Sequence, residues 1–439
     1  MVQNNNNIAV ETPEQEKKRL RKVATATIVG SMLEWYDFYL YATMAALVFG
    51  QVFFDTADPK SASLKAFATF AIGFIARPVG GMLFGRYGDR FGRKKMLVVT
   101  FILMGVCTTV IGLIPTYDSI GVWAPILLVF IRFIQGLGAG AELAGAAITS
   151  YEHASSKKRG SQGAWPAIGL NLGLLLSSFT VFILSLFGEN FLLNGGWRIP
   201  FILSFILVFV GLWVRRSLPE TPDFDKIVHE HKRDKAPFHD IFKFHMKGLL
   251  VAFFLALGYN ALSYTFKTFS LAYLDQYKGV TADVTSLSIT LASLVALFTI
   301  PCFGWMCDKW SSKKVMITGA VITLLYILPF MLLIDTANEH YIYFALIITT
   351  GFLTPMMFAA QGSFLSRQFP VQVRSTGIGT GREIGGALGG LAPLLALWLV
   401  KISPDNSTIG VIVILFISAI FVIVSGLCDQ GSKFTDNKN

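Results

Sequence analysis

Apolar stretches of about twenty residues, separated by short polar loops, recur from one end of this 439-residue chain to the other. A bilayer core about 30 Å thick is crossed by a helix of about 20 apolar residues. Backbone polar groups in lipid must be satisfied within the protein, and stretches of this length do so as helices. Twelve candidates follow, at 23–50, 64–85, 94–115, 122–146, 161–187, 197–216, 247–274, 284–306, 314–335, 341–364, 375–400 and 407–428. The expected fold class is therefore all-α integral membrane, with twelve transmembrane helices in two six-helix bundles. The boundaries are a tail over 1–22, bundles over 23–216 and 247–428, a charged linker over 217–246 and a second tail over 429–439.

Charge supports this reading and orients it. Only 15% of the residues are charged, against about 25% in soluble domains, so the polar surface of a water-soluble globule is lacking. The net charge of +10 could suggest nucleic acid, but the basic residues fall in short stretches between apolar runs. The expected partner is the lipid bilayer, and no nucleic acid is expected. Arg86, Arg90, Arg93, Lys94 and Lys95 share one loop, Lys157, Lys158 and Arg159 a second, and Lys309, Lys313 and Lys314 a third. The opposite loops offer only Lys60, Lys65, Arg198, Lys278 and Lys401. The positive-inside rule then places both termini and the linker in the cytoplasm of a bacterial inner membrane, crossed many times. The first apolar run is too long for a signal-peptide core and is expected to remain as the first span. Cys107, Cys302, Cys307 and Cys428 have no histidine at metal-ligand spacing, so no metal site is expected.

The halves repeat. Gly85-Arg-Tyr-Gly-Asp89-Arg90-Phe-Gly-Arg93-Lys94-Lys95 follows the second span, and Gly304-Trp-Met-Cys-Asp308-Lys309-Trp-Ser-Ser-Lys313-Lys314 follows the eighth at a common offset. Repeats of six spans belong to transporters that rock two half-bundles about a central site. The first of these segments resembles the G-x-x-x-D-R-x-G-R-K signature of the major facilitator superfamily, and Arg132-Phe-Ile-Gln135-Gly136 resembles its R-x-x-Q-G motif. Glu34-Trp35-Tyr36-Asp37-Phe38, Arg77-Pro78-Val-Gly80-Gly81, Trp197-Arg198-Ile-Pro200-Phe201 and Pro219-Glu-Thr-Pro222 are similar to elements of its metabolite:proton symporter branch. That branch includes carriers for shikimate, 2-oxoglutarate, citrate, proline and betaine, and the first half reads most like the shikimate type. Ser31 stands where many relatives carry Asn, and Ser311-Ser312 replace Gly-Arg in the second signature. The resemblance implies a gating role for Asp89, Arg90, Arg93 and Asp308, where a carboxylate can cap a neighbouring helix N-terminus.

Ionisable residues within spans are costly and default to a functional reading. Eight stand out: Glu34, Asp37, Arg77, Arg132, Glu142, Lys267, Arg382 and Glu383. Gly30, Glu34, Asp37 and Tyr41 recur at helical spacing and share a face. Two carboxylates one turn apart disfavour joint ionisation, which suits proton coupling. Asp37 is the expected proton carrier with Arg132 as its partner, and Glu34 and Glu142 are further candidates. The alternative is a permanent structural ion pair. Asn260, Tyr264 and Lys267 lie on one stripe of the seventh span and suit a small carboxylate, unless Lys267 snorkels to the outer interface. Arg77, Tyr41 and Arg382 complete the substrate-binding candidates, with Glu383 placed to neutralise Arg382. Glycine runs 136–140 and 377–381 sit in apolar helices and read as helix-packing surfaces rather than phosphate loops. Pro355 and Pro393 are expected to bend their spans.

These readings converge on a secondary active transporter, not an enzyme, that imports a small organic anion such as a shikimate-like, dicarboxylic, tricarboxylic or aromatic acid. It would work as a monomer, with a co-transported proton and no other cofactor. An anion moving inward opposes an inside-negative potential by about 2.3 kcal/mol per charge per 100 mV, which a proton offsets. The alternatives are a proline/betaine-type zwitterion symporter and a proton-antiport exporter of drugs or metabolites.

Overall fold

In a computed structural model of the chain, the described residues are 13–55, 59–91, 93–140, 146, 150–151, 153–155, 157–216, 242–370 and 373–431. Each apolar stretch forms a helix. In the first half, α1 spans Pro13–Leu47, α2 Pro59–Phe91, α3 Arg93–Leu113, α4 Trp123–Ala139, α5 Arg159–Ser185 and α6 Arg198–Arg216. In the second, α7 spans Met246–Lys278, α8 Ala282–Trp310, α9 Ser312–Asp335 and α10 Glu339–Ser366. There α11 comprises Arg374–Gly389 and Ala392–Ile402, and α12 spans Ile409–Leu427. Nine helices among the described residues are long and apolar enough to cross a membrane. The apolar runs of α3 and α4 are shorter, and α1 is diluted by Glu34, Asp37 and its tyrosines. Helix α1 also begins earlier than the apolar run, at Pro13, with Glu14 and Glu16 in the first turn, where the helix dipole favours acidic side chains.

The sequence repeat reappears as a packing repeat. Helix α1 lies along α5 as α7 lies along α11, α2 packs on α4 as α8 does on α10, and α3 on α6 as α9 does on α12. The halves meet along α5–α8 and α2–α11. Small residues set the closest crossings, because packing in lipid rewards backbone approach. A Cβ on Gly80 would overlap the Leu137 carbonyl and one on Gly140 the Arg77 carbonyl, so α2 and α4 touch backbone to backbone. Gly381 and Gly385 bring α11 onto Leu249 and Phe253 of α7 in the same way.

Proline interrupts α10 and α11 where expected. Its ring clashes with the carbonyl four residues earlier and removes a donor. Helix α10 widens to a π-helix over Ile347–Leu353 just before Pro355. The Gly351 carbonyl accepts a hydrogen bond from Thr299 Oγ1 of α8 at 2.6 Å instead. Helix α11 breaks at 390–391, ahead of Pro393.

The turn between α8 and α9 is strained. Ser311 adopts φ 86° and ψ 143°, a conformation that glycine reaches readily and other residues reach at a cost of order 1–3 kcal/mol. Serine therefore sits strained at the position where the second signature departs from its expected glycine. Ser311→Gly should raise thermal stability by about 1 kcal/mol, after the larger unfolded-state entropy of glycine is subtracted. Unfolding of the detergent-solubilised protein measures this. An unchanged or lowered transition temperature would contradict the strain.

Candidate substrate and coupling site

Seven of the eight ionisable candidates are described, and all seven are buried between helices. Arg77 of α2 joins three helices. Its Nε donates to Glu383 Oε2 of α11 at 3.1 Å, and its Nη2 lies 3.9 Å from Glu34 Oε1 of α1. The first contact crosses between the halves. Arg382 lies in the field of Glu383, Arg77 and Glu34, so two arginines and two carboxylates form one group whose formal charges cancel. The neutralisation differs from expectation. Glu383 was placed by sequence to pair with Arg382, but consecutive residues on a helix point about 100° apart, and Glu383 turns to Arg77.

Arg382 is left without an ion pair among the described residues. Its guanidinium stands 5.9 Å from the Phe358 ring and lines a cavity with Ser31 and Trp35 of α1, Pro166 of α5, and Phe358 and Gln361 of α10. The Gln361 Nε2 amide is buried without a hydrogen-bond partner. A cation, an unpartnered amide donor, a hydroxyl and two aromatic faces thus converge on one space between the halves. Sequence reasoning missed Gln361 and Phe358. The only signal was a lone amide in an apolar helix, which is equally common at packing positions.

The two carboxylates of α1 do not form a pair. Residues three apart differ by about 60° on the helical wheel, enough to give them different neighbours. Glu34 faces α2 and α11, whereas Asp37 turns into the first bundle, against the Thr108 and Ser204 hydroxyls of α3 and α6. Arg132 of α4 influences Asp37 electrostatically, but its direct contacts lie elsewhere. Its guanidinium sits 4.0 Å over the Tyr41 ring, and Nη1 donates to Gln135 Oε1 at 2.5 Å. Gln135 Nε2 donates in turn to Thr108 Oγ1 at 2.7 Å. The Thr108 hydroxyl itself donates to the Met104 carbonyl at 3.0 Å, so Asp37 lies near the Arg132–Gln135–Thr108 chain without being hydrogen-bonded into it. Tyr41 is fully buried beneath Arg132, its hydroxyl 2.6 Å from Thr69 Oγ1, and does not line the Arg382 cavity.

The three residues of the stripe expected on α7 have different partners. Asn260 and Tyr264 lie one turn apart on the regular helix Met246–Tyr264, whereas Lys267 lies within the π-helix Thr265–Phe269. Asn260 Nδ2 donates to its own helix, to the Ala256 carbonyl at 2.8 Å. The Tyr264 ring packs on Phe38 and Phe74 of the first half, with centroids 5.4 and 5.0 Å away. Lys267 points inward rather than snorkelling. It is 2% exposed, and its Nζ donates to Ser263 Oγ at 3.0 Å and Tyr39 Oη at 3.3 Å.

The halves touch at both ends. The Asp308 carboxylate of α8 accepts the Gly160 N–H at 2.6 Å and the Ser161 N–H at 3.2 Å, capping the N-terminus of α5 across the interface. A Cβ at Gly160 would collide with Asp308. At the other end, Lys401 is hydrogen-bonded to Ser61 and Gln276 to Ser63. Glu142 lies outside the described residues, as do the side chains of Asp89, Arg90 and Arg93.

Comparison with known proteins decides the family. Residues 23–243 match the family model for sugar (and other) transporters, and residues 249–431 match that of the major facilitator superfamily. The shikimate transporter of Escherichia coli K12 is 36% identical over 393 residues, covering 88% of this chain and 90% of that one. This chain belongs to the major facilitator superfamily. Another relative within the superfamily, the proline/betaine transporter of E. coli K12, is 34% identical over 397 residues, covering 88% of this chain and 79% of its own. The fold is that of solved major facilitator structures. A D-xylose–proton symporter matches with a TM-score of 0.68 at 17% identity, covering 95% of this chain and 98% of its own. This major facilitator chain is a multi-pass membrane transporter of the bacterial inner membrane, not an enzyme.

The Arg77–Glu383 contact has a direct test. Breaking a buried pair by removing one partner costs about 3–5 kcal/mol, because the other charge is left uncompensated. Arg77→Gln and Glu383→Gln should each lower the unfolding temperature strongly, and the double substitution should cost less than their sum. Additive losses in this double-mutant cycle would show that the two side chains do not interact.

Proposed function

We propose that this transporter imports a small organic anion together with protons, by alternating access in a monomer. One observation carries the proposal: the Arg382 cation faces a cavity between the halves while the adjacent carboxylate is engaged elsewhere. A substrate carboxylate would pair directly with the Arg382 guanidinium, the Gln361 amide would fix its orientation, and Trp35 and Phe358 would pack against its apolar face. The similarity to a shikimate transporter favours a cyclic carboxylate. The aromatic pair also suits the quaternary ammonium of a betaine-like zwitterion, and the proline/betaine relative makes this the second reading.

Coupling is assigned to Asp37. Its protonation removes a negative charge beside the Thr108 and Ser204 hydroxyls and from the field of Arg132, which changes the packing of α1 on α3, α4 and α6. Glu34, held near Arg77, belongs instead to the interface of the halves. Asp308 gates by capping α5: opening on that side requires two backbone N–H groups to lose their carboxylate.

The test is uptake of labelled shikimate, 2-oxoglutarate, citrate, proline and betaine into proteoliposomes, with and without an inward proton gradient. Uptake of one carboxylate should be gradient-driven in the wild type. Asp37→Asn should abolish accumulation against a gradient while leaving solute exchange. Uptake of proline or betaine alone would replace the anion reading with the zwitterion one. Gradient-driven accumulation surviving in Asp37→Asn would remove Asp37 from coupling.

A further inference from the structure

Lys267 is a buried amine with no ion-pair partner among the described residues. Its polar contacts are the Ser263 and Tyr39 hydroxyls, with the Tyr39 ring 5.3 Å from Nζ. The π-turn 265–269 packs against α1, the flanking parts of α7, the 347–353 segment of α10 and the 392–402 segment of α11, and its Phe266 ring packs on Phe330 of α9. The charged residues of those elements near or within the bilayer are Glu34 and Asp37 on α1, Asp275 and Lys278 on α7, Asp335 on α9, and Lys401 on α11. None makes an ion pair with Lys267. The 347–353 segment is uncharged.

This amine stands one aromatic layer from the Arg382 cavity, which it does not itself line. Tyr39 lies one helical turn above Trp35, the two rings 5.5 Å apart, and Trp35 lines the Arg382 cavity. From the other side, Tyr259 stacks on Phe358 at 5.1 Å, and Phe358 lines the same cavity. The π-helix is a local departure from regular hydrogen bonding, of a kind frequent at functional sites, and here it carries Lys267.

From this geometry we infer that Lys267 takes up a proton together with the substrate's carboxylate, making it a second proton-binding group in transport. An ammonium here needs an anion beside it, because hydroxyls stabilise the charge without cancelling it. Among the described residues none pairs with it, so the negative charge of the transported anion in the neighbouring Arg382 cavity compensates it. One N–H bond forms at Nζ, with the proton drawn from outer-side water, and no bond of the substrate breaks. When the anion leaves on the other side, the proton follows it. Anion and proton thereby bind with positive coupling, each raising the affinity for the other. The inference rests on the anion-transport reading above.

Proton uptake on binding is the test. Shikimate, 2-oxoglutarate and citrate are added separately to the weakly buffered, detergent-solubilised protein, with binding followed by thermal shift and protons by an indicator dye. The wild type should take up protons with the anion it binds. Lys267→Met, close in volume but without the amine, should take up about one proton fewer per anion bound, by linkage. Lys267→Arg, whose guanidinium stays protonated, should bind the anion with the same loss of proton uptake; it carries the test alone if Lys267→Met does not fold. Wild-type proton uptake in either variant overturns the role of Lys267 while leaving anion transport standing. A wild type that binds none of the three anions overturns the anion reading and this inference with it.

Discussion

Hydrocarbon cannot solvate charge, and every feature of the central site follows from how this chain compensates its buried ionisable residues. Arg77 holds Glu383 and Glu34 together, and so ties α1, α2 and α11 across the interface of the two halves. Glu383 is thereby taken from its sequence neighbour. Arg382 then faces the cavity as a cation whose counter-charge is shared and displaced. The four-residue group is formally neutral, and in the proposed reading Arg382 is its face toward an incoming anion. The same constraint bears on Lys267, whose hydrogen-bond partners among the described residues are the Ser263 and Tyr39 hydroxyls.

The elements proposed for coupling differ in kind from those proposed for binding. Asp37 sits inside the first bundle, against α3 and α6, and feels Arg132 through space. It need not touch substrate to alter how the first half packs. Asp308 lies far along α8 and acts on backbone N–H groups of α5. Between them, the aromatic side chains Phe38, Phe74 and Tyr264 interlock across the halves. A rocking motion must separate these rings, whose contacts are individually weak and have no directional hydrogen bonds to break.

Much of this was legible in the sequence, for physical reasons that can be named. Span lengths follow from bilayer thickness, and the repeated Gly85–Lys95 and Gly304–Lys314 segments announced two equivalent halves. Pro355 and Pro393 announced the irregularities of α10 and α11. Burial of Arg77, Arg132, Lys267, Arg382 and Glu383 followed from their place in apolar runs. Partner choice was not legible, because it depends on about 100° of rotation per residue and on which helix stands opposite. Glu34 and Asp37 were expected to act as a pair, yet face different helices. Asn260, Tyr264 and Lys267 were expected to act together from one stripe, but Asn260 bonds its own helix, Tyr264 packs on the first half, and Lys267 lies in the π-turn at 265–269. Gln361 carried no charge to draw attention, and only its unpartnered amide beside Arg382 marks it.

The central claim is that Arg382 receives the carboxylate of a transported anion. Equilibrium binding of labelled shikimate, 2-oxoglutarate, citrate, proline and betaine to wild type and Arg382→Gln, both confirmed folded in detergent, tests it without any transport step. A carboxylate should bind the wild type, and its affinity should fall about tenfold or more in Arg382→Gln, the loss expected for one charge-assisted hydrogen bond. Equal carboxylate affinity in the two proteins, or a wild type that binds only proline or betaine, would contradict it.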